Sequence, residues 1–118
     1  MTQQPPMDVP VNMRRYVLGL LQRGPRYDDG SSPESQELQR AHLAHIRRMT
    51  EAGKYVITGP FLDGGDMRGL TVLATDSPEE GATWMADDPA VQAGRFTVAV
   101  HPVFLPALDA VAVTYQNA

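Results

Sequence analysis

The chain has 118 residues, a net charge of -4 and no cysteine. That length supports one domain around one core, and the missing thiols exclude disulfides, cysteine nucleophiles and Cys-based metal sites while fitting a cytoplasmic setting. Basic residues are scattered or paired with acids, which argues against a nucleic-acid footprint.

Residues 1–12 carry three prolines and no periodicity, and read as a flexible N-terminal arm. They lack the basic and apolar regions of a signal peptide, and no apolar run approaches the roughly 20 residues needed to cross a membrane. Met13–Gln22 alternates as a strand, with Tyr16, Leu18 and Leu20 on one side and Val17 and Leu21 on the other. Arg23–Pro33 is rich in turn formers, and its length suggests a flap beside a site. A helix is predicted over Ser35–Ala52, closed by Gly53. Along it Leu38, Leu43, Ile46 and Met49 define an apolar direction, and His42 lies within roughly 20–30° of that direction. His45 falls roughly 80° away, at the edge of the stripe. A histidine aimed at a core needs partners for its ring nitrogens. A backbone carbonyl would suffice, so His42 alone does not define a site.

Lys54–Phe61 is a β-branched strand ended by Gly59-Pro60, and a Gly-rich connection leads to a third strand at Gly69–Thr75. Ser77-Pro78-Glu79-Glu80 is a helix start with the features of a capping box, giving a second helix over Pro78–Asp87. Asp88-Pro89 repeats that start for a short turn. Phe96–Phe104 is the fourth strand. In the tail, residues 105–118, alternation at Ala110–Tyr115 suggests a short further strand. The order β-α-β-β-α-β predicts an α+β, ferredoxin-like fold, a four-stranded antiparallel sheet with both helices on one face. Val17, Leu21, Val56 and Val72 are candidates for the uncovered face, where pairing of two sheets in a homodimer would bury them. Val111, Val113 and Tyr115 are expected to join that interface.

Gln39-Arg40-Ala41-His42-Leu43, Gly53-Lys54, Gly59-Pro60-Phe61 and Asp87 through Phe96 (DDPAVQAGRF) occur in an order and spacing that resemble the YciI-like (YCII-related) family, over Met13 to Phe104. The resemblance implies the dimeric α+β barrel type of fold over 13–104 and a His–Asp pair in a pocket. One relative type is a dehydrochlorinase, which implies acid/base chemistry on a small ring without a metal. Carried over by position, the histidine is His42 and the aspartate Asp88, the two candidate catalytic residues. Both can reach the sheet edge at Gly59, Pro60 and Phe61, the candidate substrate-binding residues. A carboxylate accepting Nδ1–H would fix the imidazole tautomer and leave Nε2 free as base or acid. Asp88 also reads as the N-cap of the turn at Pro89, and its two oxygens allow both roles. The loop after Met13–Gln22 and the tail exceed what a minimal member needs, so a substrate does not transfer.

His42-x-x-His45 with His101 lacks a local acidic or thiolate ligand, and no metal or other cofactor is assigned. Neither a nucleophile elbow nor a phosphate-binding glycine loop is present. Two functions remain. One is a small metal-free enzyme using His42 and Asp88 for acid/base chemistry on a small, aromatic or lactone-like substrate. The other is a non-catalytic dimeric protein that binds a small ligand or assists another enzyme. A pocket open at the pair favours the first, and a sealed pair the second.

Overall fold

Alternation and cap chemistry place seven elements in a computed structural model that describes residues 8–116. Residues 1–7 of the expected arm and 117–118 of the tail lie outside the described residues. The strands are β1 (Met13–Arg23), β2 (Tyr55–Pro60), β3 (Met67–Leu73) and β4 (Phe96–Pro106). The helices are α1 (Pro33–Glu51), α2 (Pro78–Ala86) and the one-turn α3 (Pro89–Gln92). The sheet is antiparallel with order β2-β3-β1-β4, the ferredoxin-like arrangement expected from the sequence.

Each helix begins with a polar cap followed by proline. Ser32 accepts from Ser35 N, Ser77 from Glu80 N and Asp88 from Ala90 N, which satisfies amides the first turn would otherwise leave free. The box at Ser77 is half made, because its own N–H donates to Thr75 Oγ1 rather than to Glu80. Behind α1, Gly53 takes φ 75°, the left-handed conformation that reverses the chain into β2.

The core lies between the sheet and the helices and contains Val17, Leu21, Tyr55, Leu73, Met85, Ala90 and Phe96. A Cβ at Gly19 would stand 2.1 Å from Met85 Sδ, so β1 needs glycine there for α2 to seat. Val17 and Leu21 therefore face the helices, which corrects their assignment to the uncovered face. The other face carries Tyr16, Leu18 and Leu20, with Leu70 and Val72 opposite on β3 and Ile57 beyond them on β2; Tyr16, beneath the tail, and Val72 are buried, and the other four are half-buried. Val56 is the residue by which the β2–β3 pairing slips, so it follows neither face simply.

The tail forms no strand. The ladder ends with Ala107 N donating to Asn12 O, and a turn from Val111 N to Leu108 O directs the chain away from the β4 edge. Leu108 N donates to the Tyr16 hydroxyl, Arg14 pairs with Asp109 at 2.7 Å, and Tyr115 stacks against the Arg47 guanidinium at 4.7 Å. Alternation in Val111, Val113 and Tyr115 thus serves wrapping rather than pairing: Val111 and Val113 border Tyr55 and Val56, and Tyr115 reaches α1.

Candidate active site

Rotation of α1 sets the site. Its buried side chains are Ser35, His42 and His45, whereas Leu43 is 54% exposed. The buried direction is turned toward His45 by roughly 30–40° from the one the leucines suggest. Leu43 instead stands at the mouth of a cavity, so the expectation that it belongs to the core and His45 to the edge is corrected.

His42 is 8% exposed and its Nδ1 lies 2.5 Å from Asp88 Oδ2. A carboxylate at that distance takes a proton, so Nδ1 is the donor. The other oxygen, Oδ1, accepts from Ala90 N at 2.9 Å as the cap of α3. One buried carboxylate thus caps a helix and holds a ring, and the junction of α2 and α3 fixes where it stands. The Phe96 ring packs 5.3 Å from the imidazole, centroid to centroid, and limits its tilt. Nε2 has no protein partner. Among the described residues only Arg95 Nε is both buried and unpartnered, so Nε2 reaches open space.

That space is a cavity of about 280 Å³ between α1 and the β2 side of the sheet. The α1 wall is Gln39, His42, Leu43 and Ile46, and β2 supplies Thr58, Gly59 and Pro60. Leu21, Phe96, Gly69, Arg68 and the tail's Tyr115 complete it. Gly59 and Pro60 thus line the same cavity as His42. Phe61 does not line the cavity; it is half-buried, and its N–H continues the ladder to Arg68 O.

Sequence alternation does not reveal Arg68. Leu21 pairs with Gly69 and Gln22 with Met67, so Arg68 is an extra residue on β3. Such a bulge breaks the side-to-side alternation. Met67 Sδ turns to Gln22 on the far face, while Arg68 lines the cavity and stacks 5.6 Å from the Tyr27 ring. Tyr27 belongs to the segment read as a flap. That segment is tied down by Arg95 Nη1 to Asp28 Oδ1 at 2.7 Å and by the Ser35 hydroxyl to Asp28 Oδ2 at 2.5 Å. The Ser35 hydroxyl, the Gly30 amide and Arg95 hold the Asp28 carboxyl below its usual range.

His45 has a different setting. Its Nε2 meets the Tyr55 hydroxyl at 3.2 Å, with the rings edge to face. Burial pushes the imidazole below its ordinary value, against the opposing pull of Asp88. Burial, with the charges of Asp88 and Asp87, raises the Tyr55 hydroxyl far above the usual phenol value. His101 is exposed on β4 opposite Leu18, on the face away from α1, so the three histidines do not converge. Among the described residues no group of three His, Cys, Asp or Glu side chains is placed to hold a metal ion. No helix among them is long and apolar enough to cross a membrane.

Fold and site together define a small α+β domain with a partly open pocket against a carboxylate-held histidine. The YCII-related domain matches residues 23–103, and the chain belongs to that family. Among solved structures it is similar to 5-chloro-2-hydroxyhydroquinone dehydrochlorinase (TftG) from Burkholderia phenoliruptrix AC1100, in complex with 2,5-dihydroxybenzoquinone. The similarity has a TM-score of 0.51 at 22% identity, over 72% of this chain and 90% of that one, and supports the fold. A comparison with curated proteins gives no match.

Proposed function

We propose that this protein is an acid/base enzyme of the YCII-related family acting on a small, aromatic or lactone-like molecule. One observation carries the reading: His42 spends Nδ1 on Asp88 and keeps Nε2 for the cavity. In this mechanism the Asp88 carboxylate holds the tautomer in which Nε2 has a free lone pair. Nε2 removes a proton from the bound molecule, and the resulting imidazolium stays paired with Asp88 until it returns the proton to substrate, leaving group or water. Leu21, Ile46 and Phe96 provide apolar walls for a flat guest. The similar dehydrochlorinase, named for a ring substrate and complexed with a quinone, makes ring chemistry the first choice. The reading as a plain binding protein would suit a sealed pair better than one opening on a cavity.

Profiling the purified protein against a library of small metabolites should give a ligand whose conversion requires His42. Full turnover by His42→Ala would reject the mechanism. A homodimer is part of the proposal, because Leu18, Leu20, Ile57 and Leu70 leave an apolar, half-buried sheet face to be covered. Light scattering should give twice the chain mass of 12.9 kDa, and the single mass at micromolar concentration would remove the dimer.

A further inference from the structure

The proton-transfer reading says where a substrate reacts and leaves its charge open. We propose that Arg68 makes the cavity selective for small planar organic anions. Its guanidinium takes a delocalised oxyanion, a carboxylate or a ring enolate, while His42 addresses the adjoining carbon skeleton. The inference rests on the assignment of this cavity as the substrate site.

Charge around the cavity is one-sided. Arg68 is the one arginine or lysine among the lining residues, and none of them is an acid. The Asp88 carboxylate stands behind His42 with a 4% exposed side chain and both oxygens engaged. Arg68 also differs from the arginines around it. Arg23 faces Asp66 and Arg95 pairs with Asp28, but no acidic group among the described residues lies within ion-pair distance of Arg68. Its protein hydrogen bond is from Nη1 to the Gly65 carbonyl at 3.1 Å, which leaves the rest of the donor fork for a guest. A guanidinium fork matches a planar oxyanion with two parallel bonds, a fit a single ammonium cannot reproduce.

Local structure makes this a placed group. The bulge directs Arg68 toward the cavity, and its guanidinium carbon lies 5.6 Å from the centroid of the Tyr27 ring, within cation–π reach. Tyr27 is in turn packed 6.1 Å from Phe96, the ring that steadies His42, so both polar groups lean on one aromatic pair. Size restricts the guest further. A dry cavity of about 150 Å³ admits benzene, so about 280 Å³ suits one ring with its substituents. A neutral guest of the same shape would cover the cation without pairing it, and that penalty is the source of selectivity.

The test uses matched probes on the full chain. By calorimetry, benzoate should bind about tenfold or more tightly than benzamide, the selectivity that a charge-assisted pair of about 1.4 kcal/mol confers. The enolate of 1,3-cyclohexanedione against cyclohexanone distinguishes a ring enolate from a carboxylate as the preferred oxyanion. Saturation should move the His42 imidazole resonances in NMR, which locates the probe. R68Q should level the two affinities, whereas R68K should keep part of the preference because the charge remains without the fork. Equal or absent binding of both members of both pairs to the wild type overturns the proposal. So does a preference that survives in folded R68Q; should R68Q fail to fold, full retention in R68K counts equally against the fork. The two ideas fail separately. H42Q should lose turnover and keep the benzoate preference, while an anion-blind wild type with His42-dependent turnover would refute Arg68 alone.

Discussion

His42 and His45 stand one turn apart on the same helix, and both are buried, yet only one of them lines the cavity. His42 has a carboxylate at one nitrogen and a cavity at the other, whereas His45 lies 3% exposed against a phenol in the core. Burial therefore does not tell the histidine proposed to react from the one packed in the core. The distinction lies in what the second ring nitrogen meets, and in whether the partner can stabilise a positive ring. Asp88 can do so by charge; Tyr55, its hydroxyl held protonated well past neutrality, cannot.

The contrast breaks first at His42. His42→Ala should lower turnover of a cavity substrate by about 10²–10⁴-fold, the usual worth of a general base, while circular dichroism still reports a folded chain. Asp88→Asn should follow closely. The amide keeps an oxygen for the Ala90 N–H and offers its NH2 to Nδ1, which forces the proton onto Nε2 and removes the lone pair from the cavity. Rate should fall about 10²-fold or more with the urea midpoint little changed. Asp88→Ala would lose the cap as well, at about 1 kcal/mol beyond the ring contact.

His45→Phe should show the opposite profile. It strands the Tyr55 hydroxyl in the core and should cost about 1–3 kcal/mol in urea unfolding, with turnover per folded molecule nearly kept. A large rate loss with unchanged stability would make His45 a second working group and dissolve the contrast. The smallest effect is its pH dependence. His45 titrates below 6.5 when folded and near 6.5 when unfolded, so falling pH loads the unfolded chain with a proton first. Its contribution is fully present above that value and is lost as pH falls from it through the folded pKa, at no more than about 1.4 kcal/mol per pH unit. The midpoint difference between wild type and His45→Phe should therefore shrink on acidification.

Local chemistry was readable in the sequence. Ser77-Pro78 and Asp88-Pro89 announced their helices because a cap needs only its own three following residues, and Asp88 could be given two partners because a carboxylate has two oxygens. The placement of His42 in the buried stripe follows from helical spacing. Helical spacing puts His45 at the edge because Leu43 draws the apparent stripe toward itself, whereas Leu43 stands exposed at the cavity and His45 is buried. Arg68 was hidden for a deeper reason. The slip that re-aims it is a relation between β1 and β3, so neither strand contains it alone. The tail is the reverse case: Val111-Val113-Tyr115 alternates as a strand would, yet the turn from Leu108 to Val111 sends it past the start of β2 to α1, where its side chains pack without backbone pairing.

The slip at Arg68 also separates identity from presentation. Whether an arginine on this strand faces the cavity depends on counting residues back to the last regular pair, and one residue more or fewer reverses the answer. Two relatives could carry the same arginine in the same alignment column and present it to opposite faces, while a one-residue deletion in the β2–β3 hairpin could withdraw the cation without any substitution. Comparison of such proteins is better made by strand register than by letter.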